Sequence, residues 1–235
     1  MRVRALAFAS VAGLALALAA CGDSDADQRK AFISFLQTRI LDKPGIHVPQ
    51  LTEDERKSFG PYAAQYAIIT DFHDVLNRSV STRLSSAMTQ GAIQSVGDLV
   101  ARRDLIQTAR TSIGQMASAL GDDIAHADDA HGKLNQPPEL KATFDKAYER
   151  LVTVPAATFK SVAPVADKAF ADALDFGAYI DQHKSEVTIS GPMVQASNAQ
   201  VRDAINAKLQ GLQTSQQAVQ RAQADLQRVV YGSPK

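Results

Sequence analysis

Cysteine, tryptophan and net charge are scarce or missing in this chain, and each shortage closes off a class of function. A single cysteine, Cys21, stands among 235 residues, so neither an intrachain disulfide nor a cysteine-based zinc site can form. Lys and Arg number 25, as do Asp and Glu. Without a leader carrying Arg2 and Arg4, 23 basic residues face 25 acidic ones, a charge of −2 that leaves no surplus for a polyanion. No nucleic-acid partner is expected. Trp is absent, and Gly and Pro number only 13 and 9 against 39 Ala, a composition that favours helices over sheets. The motifs G-x-x-x-x-G-K, G-x-G-x-x-G, G-x-S-x-G and H-E-x-x-H are also missing. With no such signature, neither an enzyme nor a cofactor is expected.

What is present begins at the N-terminus. Arg2 and Arg4 precede Ala5 to Ala20, an uncharged run of 16 residues dominated by Ala, Leu, Val and Phe. Such a run is short for a spanning helix, which needs about 20 residues, and fits a signal peptide over 1–20. It ends in Leu18-Ala19-Ala20-Cys21, which looks like a bacterial lipobox. Cys21 is therefore the expected lipid-attachment residue and the first residue after cleavage. Lipidation accounts for a lone thiol in an oxidising compartment, and several acyl chains hold a bilayer where one would bind only marginally. Gly at position 22, rather than Asp, favours the outer membrane over the inner one by analogy with enteric sorting. The expected location is the cell envelope, facing the periplasm, with the membrane as partner through the anchor.

Residues 21–26 read as a lipidated tether, at most about 20 Å long if extended, and 27–235 as a single helical domain. Asp27 is placed to cap a helix carrying Phe32, Leu36 and Ile40, stopped by Lys43-Pro44-Gly45. Thr52 and Glu55 form a capping-box pattern for a short helix ending at Gly60. Beyond Pro61, Tyr62, Tyr66, Ile69, Phe72, Leu76, Val80 and Leu84 recur at helical spacing. Gly91 to Gly97 marks a break. Leu99, Ile106, Ile113, Met116, Leu120 and Ile124 outline a second long helix running to Pro137-Pro138. A further helix over 139–154 is expected to end at Pro155, and Pro164 to separate a short turn from a long helix through Phe170 and Tyr179. Residues 186–195, with Val187, Ile189 and Val194 around Ser190-Gly191-Pro192, leave a small hairpin and an extended loop both open. Ser197 and Gln200 suggest a cap for the last helix, through Val201, Ile205, Leu209 and Leu226. The fold class predicted is all-α: an elongated antiparallel helical bundle of about four long helices plus short ones.

Aromatic residues gather between Phe32 and Phe72 and between Phe144 and Tyr179, with none at 73–143. This distribution predicts one thick aromatic end, with the second and last long helices continuing as a narrower Ala-lined coil.

The stretch Asp27-Gln28-Arg29-Lys30-Ala31-Phe32-Ile33, then Leu51-Thr52, Phe59-Gly60-Pro61-Tyr62 and Tyr66-Ala67-Ile68, resembles the YiaF-like lipoproteins of Gram-negative bacteria, a domain of unknown function. The resemblance is sharpest over residues 18 to 70. It implies an envelope location and supplies no activity and no catalytic residue.

Two polar features remain. Asp122, His126 and Asp129 fall within a 60° arc of one helix, by about 100° per residue, a spacing compatible with a divalent ion. Asp128 and His131 form a second potential pair. No fourth ligand is visible, so the expectation is a solvated acidic face and no metal. His47, His73 and His183 show no partner in the sequence. Gln210, Gln213, Gln216, Gln217, Gln220, Gln223 and Gln227 on the last helix are expected to face water. The expected function is a non-enzymatic interaction or structural module with an envelope protein partner. The alternative is a carrier holding a small apolar ligand or metal ion between its helices.

Overall fold

The computed structural model describes residues 19–89, 95–190 and 193–232. The leader at 1–18 and most of the break at Gly91 lie outside the described residues. Eight helices and one hairpin follow in order: α1 (Ala19–Phe35), a π-helical segment (Leu36–Leu41), α2 (Glu53–Phe59), α3 (Tyr62–Thr89), α4 (Val96–Ala101), α5 (Arg103–Gly132), α6 (Pro138–Tyr148), a second π segment (Glu149–Thr153), α7 (Val154–Gln182), β1 (Val187–Ser190), β2 (Met193–Ala196) and α8 (Ala199–Tyr231). The fold is all-α with four long helices, α3, α5, α7 and α8, as the periodicity predicts. Among the described residues no helix is long and apolar enough to cross a membrane.

Several local expectations need correction. Residues 21–26 are not an extended tether: α1 already runs through them, and Asp27 lies inside the helix rather than at its cap. Asp25 accounts for this, because its carboxylate binds Arg29 Nη1 one turn on, at 2.8 Å, and accepts the Tyr62 hydroxyl at 2.9 Å. Thr52 does form the capping box with Glu55. At α8 the cap is Asn198, whose side chain accepts Gln200 N–H at 2.8 Å, while Ser197 serves the hairpin by donating its backbone N–H to Glu186 O.

The prolines do not divide the chain at 155 and 164. Pro155 sits in the first turn of α7, where its fixed φ suits the helix, and the π segment before it carries the chain straight from α6 into α7. Pro164 lies within α7, exposed, removing one rung from the helix ladder. Residues 187–196 form the hairpin, pairing Val187 with Ala196 and Ile189 with Val194, with the turn at Gly191-Pro192 outside the described residues.

α7 is the shared neighbour of the assembly and packs on both α5 and α8. The second and last long helices therefore do not form a coil with each other. The helices are antiparallel in turn: Arg103, at the start of α5, pairs with Asp181 at the end of α7, and Arg110 makes a two-pronged contact to Asp167 at 2.7 and 3.1 Å in mid-helix. Lys208 to Asp175 and Ser215 to Asp172 run down the α7/α8 seam. A Cβ at Gly177 would lie 2.8 Å from Arg103 Cδ, so the missing side chain is what lets α5 come this close to α7.

The single aromatic core divides into two. Phe32, Phe35, Phe59, Tyr62, Tyr66 and Phe72 join Phe144 and Tyr148 in the first, with Phe159 against it. Phe170, Phe176 and Tyr179 belong instead to a second core with Leu99, Ile106, Val201 and Ile205, roofed by the hairpin. The reason is length: α7 has 29 residues, about 43 Å, so rings at its two ends cannot share one interior.

Candidate functional site

The acidic, histidine-bearing face of α5 is where chemistry is expected, and its side chains disperse rather than converge. Asp122 and His126 are exposed, and Asp129 is taken by Lys133 at 2.5 Å. The local pair of Asp128 with His131 does not form, because each finds a partner on α6. Tyr148 donates its hydroxyl to Asp128 Oδ1 at 2.7 Å, His131 Nε2 meets Asp145 Oδ1 at 2.9 Å, and the His131 ring stacks on Tyr148 at 4.0 Å. Burial pushes the Asp145 carboxyl up, but Lys141 and His131 outweigh it and hold the group below the usual carboxylate range. Burial, then the bond to Asp128, pushes the Tyr148 phenol well up, so it stays a donor. These groups fasten the end of α5 to α6. Among the described residues no three His, Cys, Asp or Glu side chains are grouped as a metal ion would require.

Two histidines have partners that the sequence does not announce. His73 is buried on α3, and its Nε2 lies 2.6 Å from Leu151 O in the second π segment. A carbonyl cannot donate, so Nε2 carries the proton. The cause lies four residues on from Leu151: Pro155 has no N–H to give the carbonyl its α-helical partner, and His73 supplies a donor. Burial holds the His73 pKa below its ordinary value of 6.5, only partly offset by the bond to Leu151. His183 Nδ1 meets Glu186 Oε2 at 3.0 Å, while Asn198 Nδ2 donates to the other oxygen at 3.0 Å. These two bonds, His183 first, hold Glu186 below the usual range and clasp the base of the hairpin.

Arg150 is a further residue with no sequence signal. Its guanidinium donates to Leu41 O at 2.7 Å, Gly45 O at 3.2 Å and Lys43 O, satisfying carbonyls left free at the end of the first π segment. Gly45 has a positive φ of 67°, and a Cβ there would lie 2.4 Å from Val230 O, so this loop also receives the end of α8. Beside it a surface hollow of about 450 Å³ is lined by Lys146, Glu149, Arg150 and Arg228.

A second hollow, about 390 Å³, lies between α3 and α5, with Asp71, Phe72, Asp123 and His126 among its lining. Phe32 and Phe144, fully buried, line neither hollow, while Phe72 of the first core lines the second. Cys21 lies on the first turns of α1, and the eight glutamines of α8 are all exposed.

The family model described as "Protein of unknown function (DUF3053)" matches residues 7–227 of the chain. The uncharacterized protein YiaF of Escherichia coli K12 is 31% identical over 218 residues, covering 92% of each chain, and the Shigella flexneri protein of that name matches to the same extent. No solved structure matches.

Proposed function

From the premise that the chain belongs to the DUF3053 family of proteins of unknown function, we propose that it is a lipid-anchored, non-enzymatic envelope protein whose helical body serves as an interaction or structural module. The observation that carries this reading is the cationic, apolar leader ending in Leu18-Ala19-Ala20-Cys21, joined to a body whose interior is filled. The family match runs from residue 7 and so takes in most of the apolar run and Cys21. Cys21 takes the lipid, the outer membrane receives it, and the long helices face the periplasm, where an envelope protein is met. A carrier with its ligand among the rings has less support, since Phe32, Phe144 and Phe176 are packed to zero exposure.

Mass spectrometry of the protein from its native envelope tests the anchor. The expected product starts at an acylated Cys21, and Cys21→Ser leaves full-length precursor, because a hydroxyl does not replace the thiol in lipid transfer. A mature start at any other residue overturns the reading.

A further inference from the structure

We propose that the outer edge of β1 pairs with the same edge of a second copy of this chain, joining two hairpins into one continuous antiparallel sheet. Ser197 N–H donates to Glu186 O, and the register that pairs Val187 with Ala196 sets these two residues opposite each other. In an antiparallel ladder, residues that exchange bonds alternate with residues that do not, so Thr188 with Gln195 and Ser190 with Met193 also bond inward. Val187 and Ile189 therefore turn their N–H and C=O groups away from β2. No backbone group among the described residues meets them there. Since β2 also lies against α8, β1 is the freer of the two edges.

The chemistry of this edge selects an extended strand, and its sequence selects a copy of itself. Main-chain donors and acceptors repeating every second residue, about 7 Å apart, are matched by another β-strand. Native edges are commonly guarded by charge or proline, whereas Val187-Thr188-Ile189-Ser190 holds neither and three of its four residues are β-branched. A two-fold axis through Thr188 sets Val187 opposite the second copy's Ile189, and each such pair exchanges both its bonds. These side chains lie on the underside, partly buried against the second core, and so stay on the covered face in both copies. Thr188, exposed, meets the second copy's Thr188, a favourable cross-strand pair, and Ser190 meets Glu186, so no like charges are opposed. A one-residue slip would set the underside of one strand against the exposed side of the other. The pairing owes nothing to the lipid at Cys21, so either reading can fail without the other.

The test uses the full chain in detergent micelles. Thr188→Cys should form a disulfide-linked dimer on mild oxidation, because residues facing each other across a non-hydrogen-bonded pair stand about 4.5 Å apart at Cα, within disulfide reach. Ser190→Cys, equally exposed, would stand about 13 Å from its own copy and should give at most a tenth as much dimer, as should the parent chain with Cys21 alone. Sedimentation equilibrium should show a reversible dimer of the parent chain. Thr188→Lys should weaken it at least tenfold with the far-ultraviolet circular dichroism unchanged, and an equal mixture with Thr188→Glu should restore it. A monomeric parent chain, which would leave the edge to a strand of some other protein, overturns the proposal. So does equal crosslinking at 188 and 190, or an association constant indifferent to Thr188→Lys.

Discussion

At one end of the molecule the interior closes on rings from α1, α2, α3 and α6, with Phe32 and Phe144 fully buried and Phe32 touching Phe35, Phe59, Tyr62 and Phe144 at centroid distances of 5.3 to 6.4 Å. At the hairpin end Phe176 alone reaches zero exposure, amid aliphatic side chains such as Leu99, Ile205 and Ala173 at 3% to 9%. Rings do most of the filling at the first end, whereas α4, α5, α7 and α8 approach closely enough for Leu, Ile and Ala to fill most of the space between them. Polar anchoring differs too. The ring-filled end holds internal bonds, Tyr66 hydroxyl to Pro49 O and His73 to Leu151 O, while the hairpin end is laced by exposed pairs such as Arg103 with Asp181, which contribute little each.

The largest test of this contrast removes a ring. Phe144→Ala should cost about 3 to 5 kcal/mol, and Ile205→Ala at the other end about 2 to 4 kcal/mol. Because α5 and α7 run through both cores, both losses should appear in one cooperative urea transition of lower midpoint. Two separated transitions would break the molecule into two folding units and end the argument for shared helices.

A smaller effect separates the ends by pH. His73 has its pKa held below 6.5 by burial, so above that pH it is neutral in the folded and unfolded chain alike, and contributes no slope. Below it the unfolded chain takes up a proton that the folded chain withholds, and stability falls by up to about 1.4 kcal/mol per pH unit. His73→Gln, which keeps a donor for Leu151 O, should flatten that part of a stability profile measured between pH 7 and 5. An unchanged profile would show that the proton is taken up elsewhere. Smallest of all, Gln213→Ala and Gln220→Ala on the exposed face of α8 should shift stability by less than about 0.5 kcal/mol. A larger loss by urea unfolding would mean that this face is covered.

What the sequence made legible was what depends on short spacing. The three-and-four recurrence from Tyr62 to Phe72 placed α3, and Thr52 with Glu55 placed the start of α2, because both signals are complete within a turn or two. Pro155 and Pro164 were misleading. A proline breaks a helix only if the freed carbonyl finds no other donor, and here a histidine 78 positions away supplies one to Leu151. The pairing of Asp128 with His131 failed for a related reason: a three-residue spacing permits contact, but Tyr148 and Asp145 on α6 offered better-placed partners. The hollow between α3 and α5 was legible only in part, since His126 stood out on α5 while Asp71 required knowing that α3 lies alongside.

The unbroken course of α1 has a mechanical consequence. Between Cys21 and Asp25, the first residue held to the body, there is one turn of helix and no hinge. Were Cys21 to carry the lipid proposed above, a flexible leash would let the body drift freely over it, whereas a short stiff stem would make it lean as the stem leans. The longest helix, α8, measures about 50 Å, so a 10° tilt of the stem would swing a point that far out through about 9 Å. Such a stem would set where the far end can search as well as how far from its base it stands.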